Sequence, residues 1–123
     1  MIHYFFILRQ YEEHADFVIA GGNFEVDPRS YESSYKDASE GLRDSRKEAL
    51  GSGWLDKKAT YGNKRNSYSA DAGPQIYDYL LHKANGNYNM QITKYDVPIL
   101  KMTNGMSFSN HEAILAEYSL SNL

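Results

Sequence analysis

The chain has 123 residues, 41% apolar, 14% aromatic and 24% charged, a mix that suits a single folded domain with one core. The absence of cysteine excludes disulfides, thiolate metal sites, iron–sulfur clusters and cysteine nucleophiles together. A net charge of -3 gives no general pull toward nucleic acid or anionic membrane, and no stretch approaches the roughly 20 apolar residues of a membrane helix.

Residues 2–9 are short, nearly all apolar and rich in β-branched and aromatic side chains, which reads as a strand buried on both faces. The run lacks the basic start and small-residue cleavage site of a signal peptide, so a soluble, cytoplasmic protein is expected. Phe17, Val18, Ile19 and Ala20 predict a second strand, broken by Gly21-Gly22; a short helix through 11–20 is the alternative, because the apolar spacing does not fix the period.

A long helix is expected over 28–50. Asp27 suits an N-cap and Pro28 the first helical position, where a missing N–H is no loss. Tyr31, Tyr35, Ala38, Leu42 and Ala49 share one stripe. Glu32, Lys36 and Glu40 alternate in sign on another face, Arg46 and Lys47 favour the C-terminal dipole, and Gly51 or Gly53 stops the helix. Trp54-Leu55 returns the chain to the core. Residues 56–73 are then either a long surface loop or an exposed hairpin pairing 58–61 with 67–70. A second helix is expected over 74–85, with Ile76, Leu80 and Ala84 on its apolar face and Asn85-Gly86 ending it.

Met90 to Tyr95 alternate as a strand. Asn104-Gly105 between apolar runs signals a hairpin joining 99–102 to 106–108. Ser109 and Glu112 match a capping box before a short C-terminal helix, with a closing strand over 113–120 as its rival. The sum is an α+β fold, a two-layer, mostly antiparallel sheet of four to five strands packed by the helices at 28–50 and 74–85, in a single domain over residues 1–123.

His3, His14, His82 and His111 show none of the spacings that put two imidazoles on one metal, and no metal or cofactor is expected. Gly21-Gly22-Asn23 and Gly51-Ser52-Gly53 match neither a dinucleotide fingerprint nor a phosphate-binding loop, and no serine is marked out as a nucleophile. Two features remain. Between residues 53 and 68 only Asp56 opposes Lys57, Lys58, Lys64 and Arg65, whereas residues 1–50 hold ten carboxylates against six Lys or Arg. That basic loop interleaves its cations with Tyr61 and Tyr68, a chemistry suited to phosphate or acidic partners and to stacking. Tyrosine is the compositional outlier at 11 residues, and tyrosine is enriched at interfaces as well as in strands.

The expected function is that of a non-catalytic protein-binding module, an inhibitor, immunity or accessory factor, using Lys57, Lys58, Tyr61, Lys64, Arg65 and Tyr68. A small enzyme acting on a nucleotide or other phosphorylated molecule, gathering Arg65, Tyr68 and one of His14 or His111, is the rival. A nucleic-acid-binding module using the same loop is the third reading. Self-association through a tyrosine-rich sheet surface is also open.

Overall fold

The computed structural model describes residues 14–123 and has an α+β fold. The strand expected over 2–9 lies outside the described residues. In chain order come β1 (Phe17–Asn23), α1 (Glu32–Ser39), β2 (Arg43–Asp44), α2 (Ser45–Leu50), a 3-10 turn at Ala70–Ala72, β3 (Asp78–Ala84), β4 (Tyr88–Asp96) and β5 (Leu115–Asn122). The strands form two antiparallel sheets: three strands in the order β1-β3-β2, and a two-stranded ribbon β4-β5. The sequence led us to expect one sheet; among the described residues the strands divide into two.

The expected strand at 17–20 is present and runs on through Gly21-Gly22. β3 supplies ladder partners along its whole length, from Phe17 opposite Ala84 to Asn23 opposite Asp78.

The expected helix over 28–50 is broken in two. Asp27 does gather the next turn: its backbone carbonyl accepts from the Ser30 and Tyr31 N–H groups, and its carboxylate from that of Arg29. The same carboxylate also accepts from the Ile76 N–H at 2.8 Å, a tertiary bond, and α1 begins only after Tyr31. Gly41, with φ 76°, turns the chain out of the helix in a conformation other residues resist. Arg43 and Asp44 then pair with His82 and Leu81 on β3, and Asp44 restarts helix as the N-cap of α2, accepting from Arg46 N–H at 2.9 Å. The middle of the expected stripe faces inward, with Ala38 buried and Tyr35 and Leu42 packed on the core, whereas Tyr31 and Ala49 at its ends are exposed.

The expected helix over 74–85 is a strand. Ile76, Leu80 and Ala84 fit a helical stripe, but Tyr79 and Leu81 are the buried apolar residues of the strand, two residues apart as β geometry requires. β3 is the central strand of its sheet, so its backbone is paired on both edges. The core gathers around it: Ile76, Tyr79 and Leu81 are buried, with Phe24, Tyr35, Leu42 and Leu55 packed against them. Phe24 stacks on Tyr79 at 5.4 Å and Tyr35 lies 5.7 Å from it, so part of the tyrosine excess is core material.

The strand expected at 90–95 is β4. The C-terminal segment is the closing strand β5 and not the expected helix; Glu112, the acidic member of the expected capping box, is buried and accepts from Asn66 Nδ2 at 2.8 Å. The hairpin at 99–108 is reduced to one bridge, Lys101 with Ser107, closed by a turn at Asn104-Gly105.

α2 contacts both β3 and β4 and so joins sheet to ribbon. Ser45, fully buried, bonds His82 Nδ1 at 2.8 Å and the Tyr118 hydroxyl at 2.6 Å. Glu48 Oε2 lies 3.1 Å from His82 Nε2 without hydrogen-bond geometry, and its carboxylate is held by Arg43 instead. Burial lowers the His82 pKa below its usual 6.5 despite that carboxylate, which favours the neutral ring.

Candidate functional site

The segment 54–69 has almost no regular structure, yet its backbone is fixed from two ends. Arg46, fully buried on α2, donates to the carbonyls of Trp54 at 3.0 Å, Lys58 at 2.8 Å and Lys57. Its guanidinium also lies 5.9 Å from the centre of the Tyr95 ring. Asn66, also buried, accepts from the N–H groups of Tyr68 and Ser69 and donates to Ser109 O and Glu112 Oε1. Between these anchors Thr60 is fully buried: its hydroxyl accepts from Tyr77 and Asp78 N–H, and its carbonyl from Glu112 N–H. Tyr61 bridges both Gln75 and His111. The exposed hairpin considered for 58–61 and 67–70 is absent; the segment is an ordered loop.

Two clefts open beside this loop. The first, about 460 Å³, is lined by Arg29, Lys57, Lys58, Lys64 and Arg65, with Asp56 as its one acidic residue. Lys58 pairs with Asp96 at 2.5 Å, and the Lys58 Nζ hydrogen bond lowers the Asp96 pKa. Arg29 pairs with Asp27 at 2.7 Å and also reaches Pro74 O. Burial alone would raise the Asp27 pKa; the Arg29 hydrogen bond and the N–H groups of Ile76 and Arg29 outweigh it and hold the carboxyl below its usual range. No ion pair among the described residues reaches Lys57, Lys64 or Arg65.

The second cleft, about 400 Å³, is lined by Tyr31, Tyr61, Tyr77, Glu25 and His111, together with Val26, Ser34 and Asn110. None of these is Lys or Arg. His111 Nδ1 lies 2.7 Å from Asp78 Oδ2, which orients the ring and leaves Nε2 without a hydrogen-bond partner among the described residues. Among the described residues no hydroxyl is hydrogen-bonded to that imidazole as a nucleophile.

The structure therefore separates the six residues singled out in the sequence. Lys57, Lys58, Lys64 and Arg65 share the first cleft. Tyr61 faces the second, 4.8 Å from the His111 ring and 5.2 Å from Tyr77. Tyr68, 56% exposed, lines neither cleft. The grouping of Arg65, Tyr68 and a histidine that a phosphate-handling enzyme would need is not formed: Arg65 and His111 line different clefts, and His14 lines neither. No group of three or more metal-ligating side chains occurs among the described residues, and no helix among them is long and apolar enough to cross a membrane.

Residues the sequence did not single out surround the loop. Lys101 Nζ bonds Arg65 O and Ser107 Oγ, and Ser67 and Ser107 exchange backbone-to-hydroxyl bonds at 3.0 and 2.9 Å. These bonds hold the 99–108 hairpin against the basic loop. Its apolar side chains Leu100, Met106 and Phe108 are exposed, the last 68%. The Asn-Gly turn marked the hairpin in the sequence; nothing there placed it beside residues 65–68. No family model, no curated protein and no solved structure matches this chain.

Proposed function

We propose that this chain is a non-catalytic binding domain that docks an acidic protein surface on the basic loop and the adjoining 99–108 hairpin. The observation that carries the reading is that Lys57, Lys64 and Arg65 have no anionic partner among the described residues while the backbone presenting them is fixed by Arg46 and Asn66. Cations on a preformed loop cost little ordering entropy on binding, and they steer an oppositely charged partner. Tyr68, Phe108 and Met106 supply the exposed aromatic and sulfur-bearing area that interface centres favour, beside a charged rim.

The test is affinity capture from a native lysate with the wild-type protein and the triple variant Lys57→Ala, Lys64→Ala, Arg65→Ala side by side. The captured partner is then titrated with each purified protein. The expected result is an acidic partner whose affinity falls about tenfold or more in the variant, mostly through a slower association rate, with the melting temperature unchanged. A partner held equally well by both proteins would overturn the assignment of the loop. Retention of single-stranded oligonucleotides with a steep salt dependence would transfer the loop to nucleic acid instead.

A further inference from the structure

The cleft on the Tyr61 side has the opposite chemistry and takes no part in the docking surface above. Tyr61, Tyr77 and His111 form one aromatic floor: the Tyr61 and Tyr77 rings are 5.2 Å apart with planes 33° from parallel, and Tyr77 and His111 are 6.4 Å apart. Tyr31, at the start of α1, adds a further ring to the lining, and Glu25 adds a carboxylate. Glu25 sits at φ 51°, one of two non-glycine residues with positive φ among those described, and its N–H is held by Asn23 Oδ1 at 2.8 Å. A bulky residue kept in that sparsely populated region is held there by its surroundings. Burial raises the Tyr77 pKa, and the nearby Asp27 and Glu25 carboxylates raise it further.

Aromatic faces beside a carboxylate, with no Lys or Arg in the lining, attract positive charge in two ways. Ring quadrupoles favour a cation over their faces, and Glu25 adds direct Coulomb attraction. A bare ammonium loses strong hydration on entering such a site. A methylated ammonium spreads its charge over apolar methyl groups, gives up less hydration, and gains ring contact. We propose that this cleft binds a methylated ammonium group, the group shared by choline and by trimethylated lysine, with Tyr61 and Tyr77 beneath it and Glu25 and Tyr31 beside it.

Titration with choline chloride against a matched sodium chloride blank, followed by NMR of the tyrosine ring resonances, tests this directly. The uncharged isostere 3,3-dimethyl-1-butanol, choline, and the free amino acid trimethyl-lysine are compared. Saturable shifts of the Tyr61 and Tyr77 rings are expected with choline, with the alcohol binding at least about fivefold more weakly because it lacks the charge. Glu25→Gln and Tyr31→Ala, both at exposed positions, should each weaken choline binding about threefold or more and leave the melting temperature in place. Tighter binding of trimethyl-lysine than of choline would name a modified side chain as the occupant, and the reverse a small headgroup. Equal binding of the alcohol, no saturable shift up to roughly 50 mM choline, or full binding in both variants would overturn the assignment.

Discussion

The two clefts are lined by neighbouring residues of one loop, Tyr61 on one side and Gly62 on the other, and differ in nearly every physical respect. One is built from rings and a carboxylate: Glu25 follows β1, Tyr31 precedes α1, Tyr77 precedes β3, and Tyr61 and His111 share a β-bridge. The other is built mostly from cations on an irregular loop whose backbone is anchored by buried Arg46 at one end and buried Asn66 at the other. Each includes one non-glycine residue with positive φ, Glu25 in the first and Lys58 in the second. The lesson is that opposite electrostatic surfaces can stand side by side when a short backbone segment between them is rigid. Each set of side chains then finds its partners on its own side, Lys58 with Asp96 and His111 with Asp78.

The largest expected effect comes from removing that rigidity. A Cβ on Gly62 would lie 1.8 Å from the Gly73 carbonyl oxygen, a backbone atom, and Gly62 sits at φ 73°. Gly62→Ala should therefore cost more than about 3 kcal/mol in urea unfolding and disturb both clefts together. A loss of under about 1 kcal/mol would show that the dividing segment moves freely.

Arg46→Met should act on one side first. It removes the donor to three carbonyls at 54, 57 and 58 while keeping the aliphatic volume, at an expected cost of about 3 kcal/mol. Amide exchange should accelerate across 54–60 well before the residues around Tyr77, measured by native-state hydrogen exchange. Equal acceleration on both sides would mean that the clefts are not mechanically separate.

The smallest effect touches neither cleft and gives a baseline for both. Burial depresses the His82 pKa in the folded state, so its contribution to stability is complete above 6.5, its unfolded value, and declines as the pH falls through the lowered folded value. The expected slope is at most about 1.4 kcal/mol per pH unit, and it should flatten in His82→Gln. Asp27 acts in a separate, more acidic window. Its folded pKa lies below 3.8, so its stabilisation is present above that value and fades as the pH drops through the folded one. An unchanged slope near pH 6 in His82→Gln would show that another group carries it.

The α+β class was legible because composition and alternation are local properties. β4 shows this best, with Met90 and Ile92 alternating with exposed Gln91 and Thr93 before a register shift between Ile92 and Lys94 brings Tyr95 back to the buried face. Helix against strand at 74–85 was not legible, because Ile76, Leu80 and Ala84 fit one period while Tyr79 and Leu81 fit the other, and pairing with both β1 and β2 decided between them. Asp27 read as a helix cap for the same reason: a carboxylate that accepts from Ile76, 49 residues away, looks local in a sequence. The four cations that share a cleft were visible as a charge run. The aromatic cleft was not, since Glu25, Tyr31, Tyr61, Tyr77 and His111 are scattered along the chain and are brought together by tertiary pairing, such as the β-bridges at Tyr61 and the Phe24 N–H bond to the Tyr77 carbonyl.

The split into a sheet and a ribbon also bears on how the chain can assemble. β4 and β5 meet closest in sequence at Asp96 and Leu115, whereas the nearest partners of β1 and β3 are Asn23 and Asp78, nearly three times as far apart along the chain. Closing the longer loop costs only about 1 kcal/mol more conformational entropy, a small term beside the burial of Tyr79 and Leu81. Chain topology therefore weighs on the order of events more than on the final balance. The ribbon is the shorter search, and the sheet that carries the core must wait for two distant strands to find their register.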